Sequence, residues 1–137
     1  MKSTIKEELY EFCRKKFDEG VSLAEIYDDP ISMELRERSS SLEVQLEIER
    51  IRDYIFRLTS ADSDPLTEEE CLQLSSLAIS FLELIAVFHG EKKKPHIEVL
   101  VRLLSYLEKR KKEKKAFMYY LKTFGKGRDK YILINDI

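Results

Sequence analysis

Glu83 is the one carboxylate inside a long apolar run, Leu74 to Phe88, where burial would raise its pKa and make it a candidate acid or base. No second catalytic group stands at a readable spacing, so its expected place is a bundle edge, exposed or paired with a lysine or arginine. His89 and His96, seven residues apart across a turn, have the spacing to share a metal. Three lysines and a proline between them oppose a cation, and His89 falls in a last helical turn, where partial positive charge suits the helix dipole. Cys13 and Cys71 are far apart in apolar helical settings, which fits buried small hydrophobes better than a disulfide, a metal site or a nucleophile. The sequence holds neither CxxC nor HExxH. The expectation is a protein without catalytic, metal-ligating or cofactor-binding residues.

The strongest chemical signal is basic. Lys109, Arg110, Lys111, Lys112, Lys114, Lys115, Lys122, Lys126 and Arg128 interleave with Phe117, Tyr119, Tyr120 and Phe124. Cations can neutralise phosphates, and exposed aromatics can stack on bases. The competing expectation is a solvated helix whose aromatics are buried and whose lysines serve solubility. Gly125-Lys126-Gly127-Arg128 follows a helix instead of preceding one, so it lacks the N-terminal dipole of a phosphate loop and reads as a plain turn.

Charge is distributed unevenly along the 137 residues. Residues 1–90 carry 10 Lys/Arg and 20 Asp/Glu, while residues 91–137 carry 14 and 6, so an acidic part precedes a basic one. That split raises the odds of an anionic partner for the C-terminal third, and equally allows the two parts to attract within or between copies. The N-terminus lacks an apolar signal segment, which points to the cytoplasm or nucleus and away from secretion.

The elements that would position these residues are helical. Thr67 and Glu70 form a capping box, with Leu66 and Cys71 spaced as a hydrophobic staple. The helix they open, about 68–89, is apolar nearly all round and ends at Gly90 in a left-handed C′ position. Its apolar part, Leu77 to Phe88, reads as too short for a bilayer, so a core helix is expected and no membrane partner.

Around it, Thr4 and Glu7 box a first helix with Ile5, Leu9, Phe12, Cys13 and Phe17 inward. Ser22 and Glu25 box a short second helix that must end before Pro30. The glycine turn at Gly20 resembles a helix-turn-helix opening, but Asp28 and Asp29 stand where a phosphate would approach, and an ordinary helical corner is expected. Ser32 is expected to cap a short turn through Arg36. Ser40 and Glu43 then box a helix to about Thr59, with Val44, Ile48, Ile51, Ile55 and Leu58 as its seam.

Past Pro95, Ile97, Leu100, Val101, Leu104 and Leu107 define a further core face. Without Gly or Pro from 96 to 124, a continuous helix projecting beyond the bundle is favoured over one that breaks near 110 and doubles back. Tyr131, Ile132, Leu133 and Ile134 have strand propensity but no partner strand, and form a candidate partner-binding tail.

The reading that follows is one all-α domain, a compact bundle of four to six helices around the central helix, with a short extended C-terminal tail. Its expected role is that of a non-catalytic protein–protein interaction module, an adaptor, regulator or assembly subunit, with another protein or a second copy as partner. The alternative is a nucleic-acid-associated protein that binds phosphates through residues 109–130.

Overall fold

The Thr67 hydroxyl accepts the Glu70 N–H at 3.1 Å while the Glu70 carboxylate accepts the Thr67 N–H at 3.0 Å, so the capping box closes in both directions. It starts the longest helix of a computed structural model that describes residues 5–60, 65–90 and 94–132. The Thr4 cap, the side chains of His96 and Ile97, and residues Leu133 and Ile134 lie outside what is described.

In chain order the helices are α1 (Ile5–Asp18), α2 (Leu23–Asp28), α3 (Pro30–Arg38), α4 (Ser41–Ser60), α5 (Glu68–Phe88), α6 (Lys94–Glu108), α7 (Lys111–Phe124) and α8 (Asp129–Ile132). The all-α bundle is there, with α5 at its centre packed against α1, α2, α3, α4 and α7, while α6 lies on α4 and α7. By length and composition α5 would suffice to cross a membrane; what makes it a core helix here is that 67% of its most apolar window is buried by its neighbours.

At the far end of α5 the His89 and Gly90 N–H groups both donate to the Ile85 carbonyl. Gly90 has φ +58, and a Cβ there would lie 2.7 Å from the Tyr27 side chain, so glycine is required by conformation and by space together. Arg36 of α3 closes the same corner: its Nη1 donates to the Tyr27 carbonyl at 2.8 Å and to the Val87 carbonyl at 2.6 Å, and the guanidinium stacks 3.9 Å from the Tyr27 ring.

The α2–α3 corner is an ordinary one. Ser22 caps α2 by accepting the Glu25 N–H. Asp29, not Ser32, caps α3 by accepting the Ile31 N–H at 2.9 Å, with Pro30 in the first turn. Ser32 instead is buried and donates to the Ile26 carbonyl, binding α3 to α2. Leu35 is buried and α3 packs on α1 and α5, while Ile31 and Met33 on its outer side are exposed.

The expected continuous helix from 96 to 124 is not formed; α6 stops at Glu108 and α7 starts at Lys111, with the Arg110 N–H donating to the Leu107 carbonyl and Arg110 at φ −121, ψ 75. The reason is burial. Ten residues at ~1.5 Å each would carry Phe117 roughly 15 Å beyond Leu107 and off the bundle. Breaking the helix folds Phe117 and Leu121 fully onto α5, each worth ~1.5–3 kcal/mol of hydrophobic stabilisation, against ~0.5–1.5 kcal/mol net per backbone hydrogen bond given up. The α5–α7 seam also carries polar contacts: the Ser75 hydroxyl donates to the Phe117 carbonyl at 3.0 Å, and the Cys71 thiol faces the Glu113 carbonyl at 3.7 Å. The inward face of α6 is rotated from the expected one, with Val99, Leu100, Leu103 and Leu107 buried and Val101 and Leu104 only partly so, because α4 and α7 cover it from two sides.

The described end of the tail is helical. Tyr131 packs edge-on against Phe17 at 4.9 Å and its hydroxyl donates to the Val21 carbonyl, so it is not a free extended segment, and Ile132 closes α8.

Candidate functional site

A groove of about 550 Å³ opens between α1, the α3–α4 junction and α5. Ile5, Leu9 and Tyr10 line it from α1, Val44 from α4, and Leu84 and Phe88 from α5. All six belong to the inward or flanking faces that 3.6-residue periodicity puts there, yet Tyr10 stays exposed and Ile5, Val44, Leu84 and Phe88 are only half-buried. Its polar rim holds Lys6, Arg38, Glu43 and Glu47, and Glu83 lies in its wall. Two of these are neutralised locally: Arg38 Nη2 is 2.7 Å from Glu8 Oε2, and Glu47 is 2.6 Å from Arg50. The bond from Arg50 holds the Glu47 carboxyl below the usual carboxylate range.

Glu83 is only 6% exposed, deeper than the edge position expected, and its partner is Arg128, 1% exposed, with Nη2 3.1 Å from Glu83 Oε2. Arg128 was grouped by sequence with the surface cations; it is instead an internal counter-charge and no contact for an external phosphate. Its guanidinium sits 5.4 Å from the Tyr10 and Phe17 rings, and its Nε has no hydrogen-bond partner among the described residues. Burial pushes the Glu83 carboxyl up, and the Arg128 charge and hydrogen bond bring it only part of the way back. Glu83 and Arg128 thus form a buried charge pair in the groove wall.

Cys13, wholly buried beside this pair, has its thiol pushed far above the usual range by desolvation and then by the Glu83 charge; burial likewise raises Cys71. Thiolate is the reactive form, so neither cysteine should react. In the native protein at pH 8, an aromatic disulfide reagent is expected to release no chromophore within minutes, and two equivalents after denaturation. Fast native release of one equivalent would contradict this packing. His89 differs from the dipole expectation: it is half-buried, and desolvation holds its imidazole below its usual pKa. Among the described residues no group of three or more His, Cys, Asp and Glu side chains is placed to hold a metal.

The remaining basic residues divide by environment. Lys109, Lys111, Lys112, Lys115, Lys122 and Lys126 are exposed. Lys114 pairs with Glu108 at 2.7 Å, and Arg110 stacks 4.4 Å from the Tyr106 ring. Of the interleaved aromatics, Phe117 is buried and Tyr120 donates to Glu68 at 2.9 Å, whereas Phe124 and Tyr119 are exposed, Tyr119 at 64%. The groove itself was invisible in sequence, because no periodicity reveals that two inward faces fail to meet. Comparison with protein-family models, with curated proteins and with solved structures gives no match for this chain.

Proposed function

We propose that the protein is a non-catalytic interaction module that seats a basic amphipathic helix of a partner protein in the α1–α4–α5 groove. The observation that carries this reading is an apolar channel of about 550 Å³ that the described helices leave open between their own inward faces. Helices dock in such grooves through apolar anchors spaced i, i+3 or i+4, i+7. Charge selects the sign of the partner. Residues 1–90 carry twice as many acids as bases, and it is this wider balance that favours a basic partner, since on the rim Arg38 is held by Glu8 and Glu47 by Arg50, which leaves Glu43 beside Lys6.

The test is a titration of the isotopically labelled chain with a basic amphipathic helical peptide of about five turns and with its charge-reversed twin. The basic peptide is expected to shift the amides of Leu9, Tyr10, Val44 and Leu84, and the pair of changes Glu43→Lys and Glu47→Lys to weaken it about tenfold, ~1.4 kcal/mol. Equal binding of both peptides, or shifts confined to another face, would sink this reading.

A further inference from the structure

Thr59 and Ser60 end α4, and each hydroxyl donates back into its own helix, Thr59 to the Ile55 carbonyl at 2.8 Å and Ser60 to the Phe56 carbonyl at 2.6 Å. With their protons so placed, both oxygens can only accept. Arg102 of α6 uses both: Nε donates to Thr59 Oγ1 and Nη2 to Ser60 Oγ, each at 2.8 Å. Its guanidinium also lies 4.9 Å from the Phe56 ring. One edge and one face of Arg102 are therefore fixed, and Nη1, which neither hydroxyl holds, remains on the other edge. Arg110 is likewise backed by an aromatic, Tyr106.

These two guanidiniums and Lys109 converge on a single cleft of about 720 Å³, completed by Thr59, Ser60, Ser105 and Tyr106, with no carboxylate among its described lining residues. Planar cations held in place by hydroxyls and rings are suited to a phosphate group, since little side-chain freedom is lost on binding. Arg102 stood outside the basic segment read from sequence; only the packing of α6 on α4 brings it to Lys109 and Arg110.

We propose that this cleft seats a backbone phosphate of single-stranded nucleic acid, with the strand continuing along α7. A polynucleotide is favoured over a small phosphate ester because the cationic surface does not stop at the cleft. At about 100° per residue, Lys111, Lys115 and Lys122 share one face of α7 with Tyr119, opposite the buried Phe117 and Leu121. That stripe is roughly 16 Å long and has an exposed ring on which a base can stack. The inference is independent of the helix-docking groove, which shares only α4 with the cleft and uses the opposite end of that helix.

The experiment is fluorescence anisotropy of the full chain with labelled uridine and thymidine dodecamers at about 50 and 200 mM salt. Saturable binding is expected, at least tenfold weaker at the higher salt. Arg102→Gln is expected to weaken it about fivefold or more, Lys109→Gln by a similar factor, Tyr119→Ala about fivefold, and Arg102→Lys less than Arg102→Gln because charge survives without the fork. Lys109 is exposed, so its variant folds whatever happens to Arg102, and circular dichroism checks each protein. Absence of binding at low salt would overturn the proposal, as would affinity indifferent to Arg102→Gln and Lys109→Gln. So would Arg102-dependent binding of inorganic phosphate or of phosphatidylserine vesicles with none of the oligonucleotides, which would assign the cleft to another phosphate carrier.

Discussion

Arg128→Ala is expected to destabilise the fold by about 3–5 kcal/mol at pH 7, because it strands the Glu83 carboxylate inside the bundle without its counter-charge. The size of the effect comes from the orphaned charge more than from the lost attraction. Replacing both partners, Glu83→Leu with Arg128→Met, is therefore expected to recover most of the loss, since a buried pair is often no more stable than an apolar substitute of similar volume.

The pH dependence has a definite sign. The folded-state pKa of Glu83 is already raised above its unfolded value by burial, so the native state takes up the proton first. Its contribution to stability is fullest below the unfolded value of ~4.3 and declines as pH rises through the folded pKa. Removing Arg128 raises that pKa further, so the gap between Arg128→Ala and the parent should widen from about pH 5 towards pH 8. Urea melts of the three proteins across that range measure it. A single variant within about 1 kcal/mol of the parent at pH 7 would mean that water reaches Glu83 after all.

Gly127→Ala is the second large effect, and Gly20→Ala is its control. Both glycines have positive φ, +83 and +73, a conformation costing L-residues ~1–2 kcal/mol. At Gly20 a Cβ would meet nothing within 4 Å, whereas at Gly127 it would lie 2.7 Å from the Phe17 carbonyl carbon and oxygen and 2.9 Å from the Asp18 nitrogen. Those atoms are backbone at the end of α1 and cannot swing aside, so overpacking of ~1–3 kcal/mol adds to the conformational cost. Losses of about 3 kcal/mol for Gly127→Ala and about 1 kcal/mol for Gly20→Ala are expected in thermal or urea unfolding. The α7–α8 turn touches α1 at Gly127, one residue before Arg128 enters between Tyr10 and Phe17, so Gly127→Ala should also loosen the Glu83 pair. Equal losses at the two glycines would show that this close approach is not made in solution.

Local chemistry made much of the fold legible. The Thr67–Glu70 box, the Ser22 cap, the seam of Ile48, Ile51 and Ile55, and Gly90 at the end of α5 each depend on residues within a few positions of one another. Such interactions are written directly in neighbouring letters. The break at Lys109–Arg110 was not, since no Gly or Pro marks it, and what ends α6 is the pull of Phe117 and Leu121 onto α5, where Phe117 meets Ser75, 42 positions earlier in the chain. Ser32 shows the same thing on a smaller scale: suited by type to cap a helix, it is taken by the Ile26 carbonyl, and Asp29 caps instead.

What the order of residues determined alone is the helical class, the central position of α5 and the ends of most helices, because periodicity and caps act over one or two turns. Only the tertiary structure decided which charges face water. Arg128 and Lys126 are the same kind of residue in the same turn, yet the first is sealed against Glu83 and the second is exposed. Arg102, outside the basic run, is drawn to its edge by two hydroxyls on α4. Burial and convergence are properties of separate segments brought together, and the energy of a charge is set by what surrounds it after they meet.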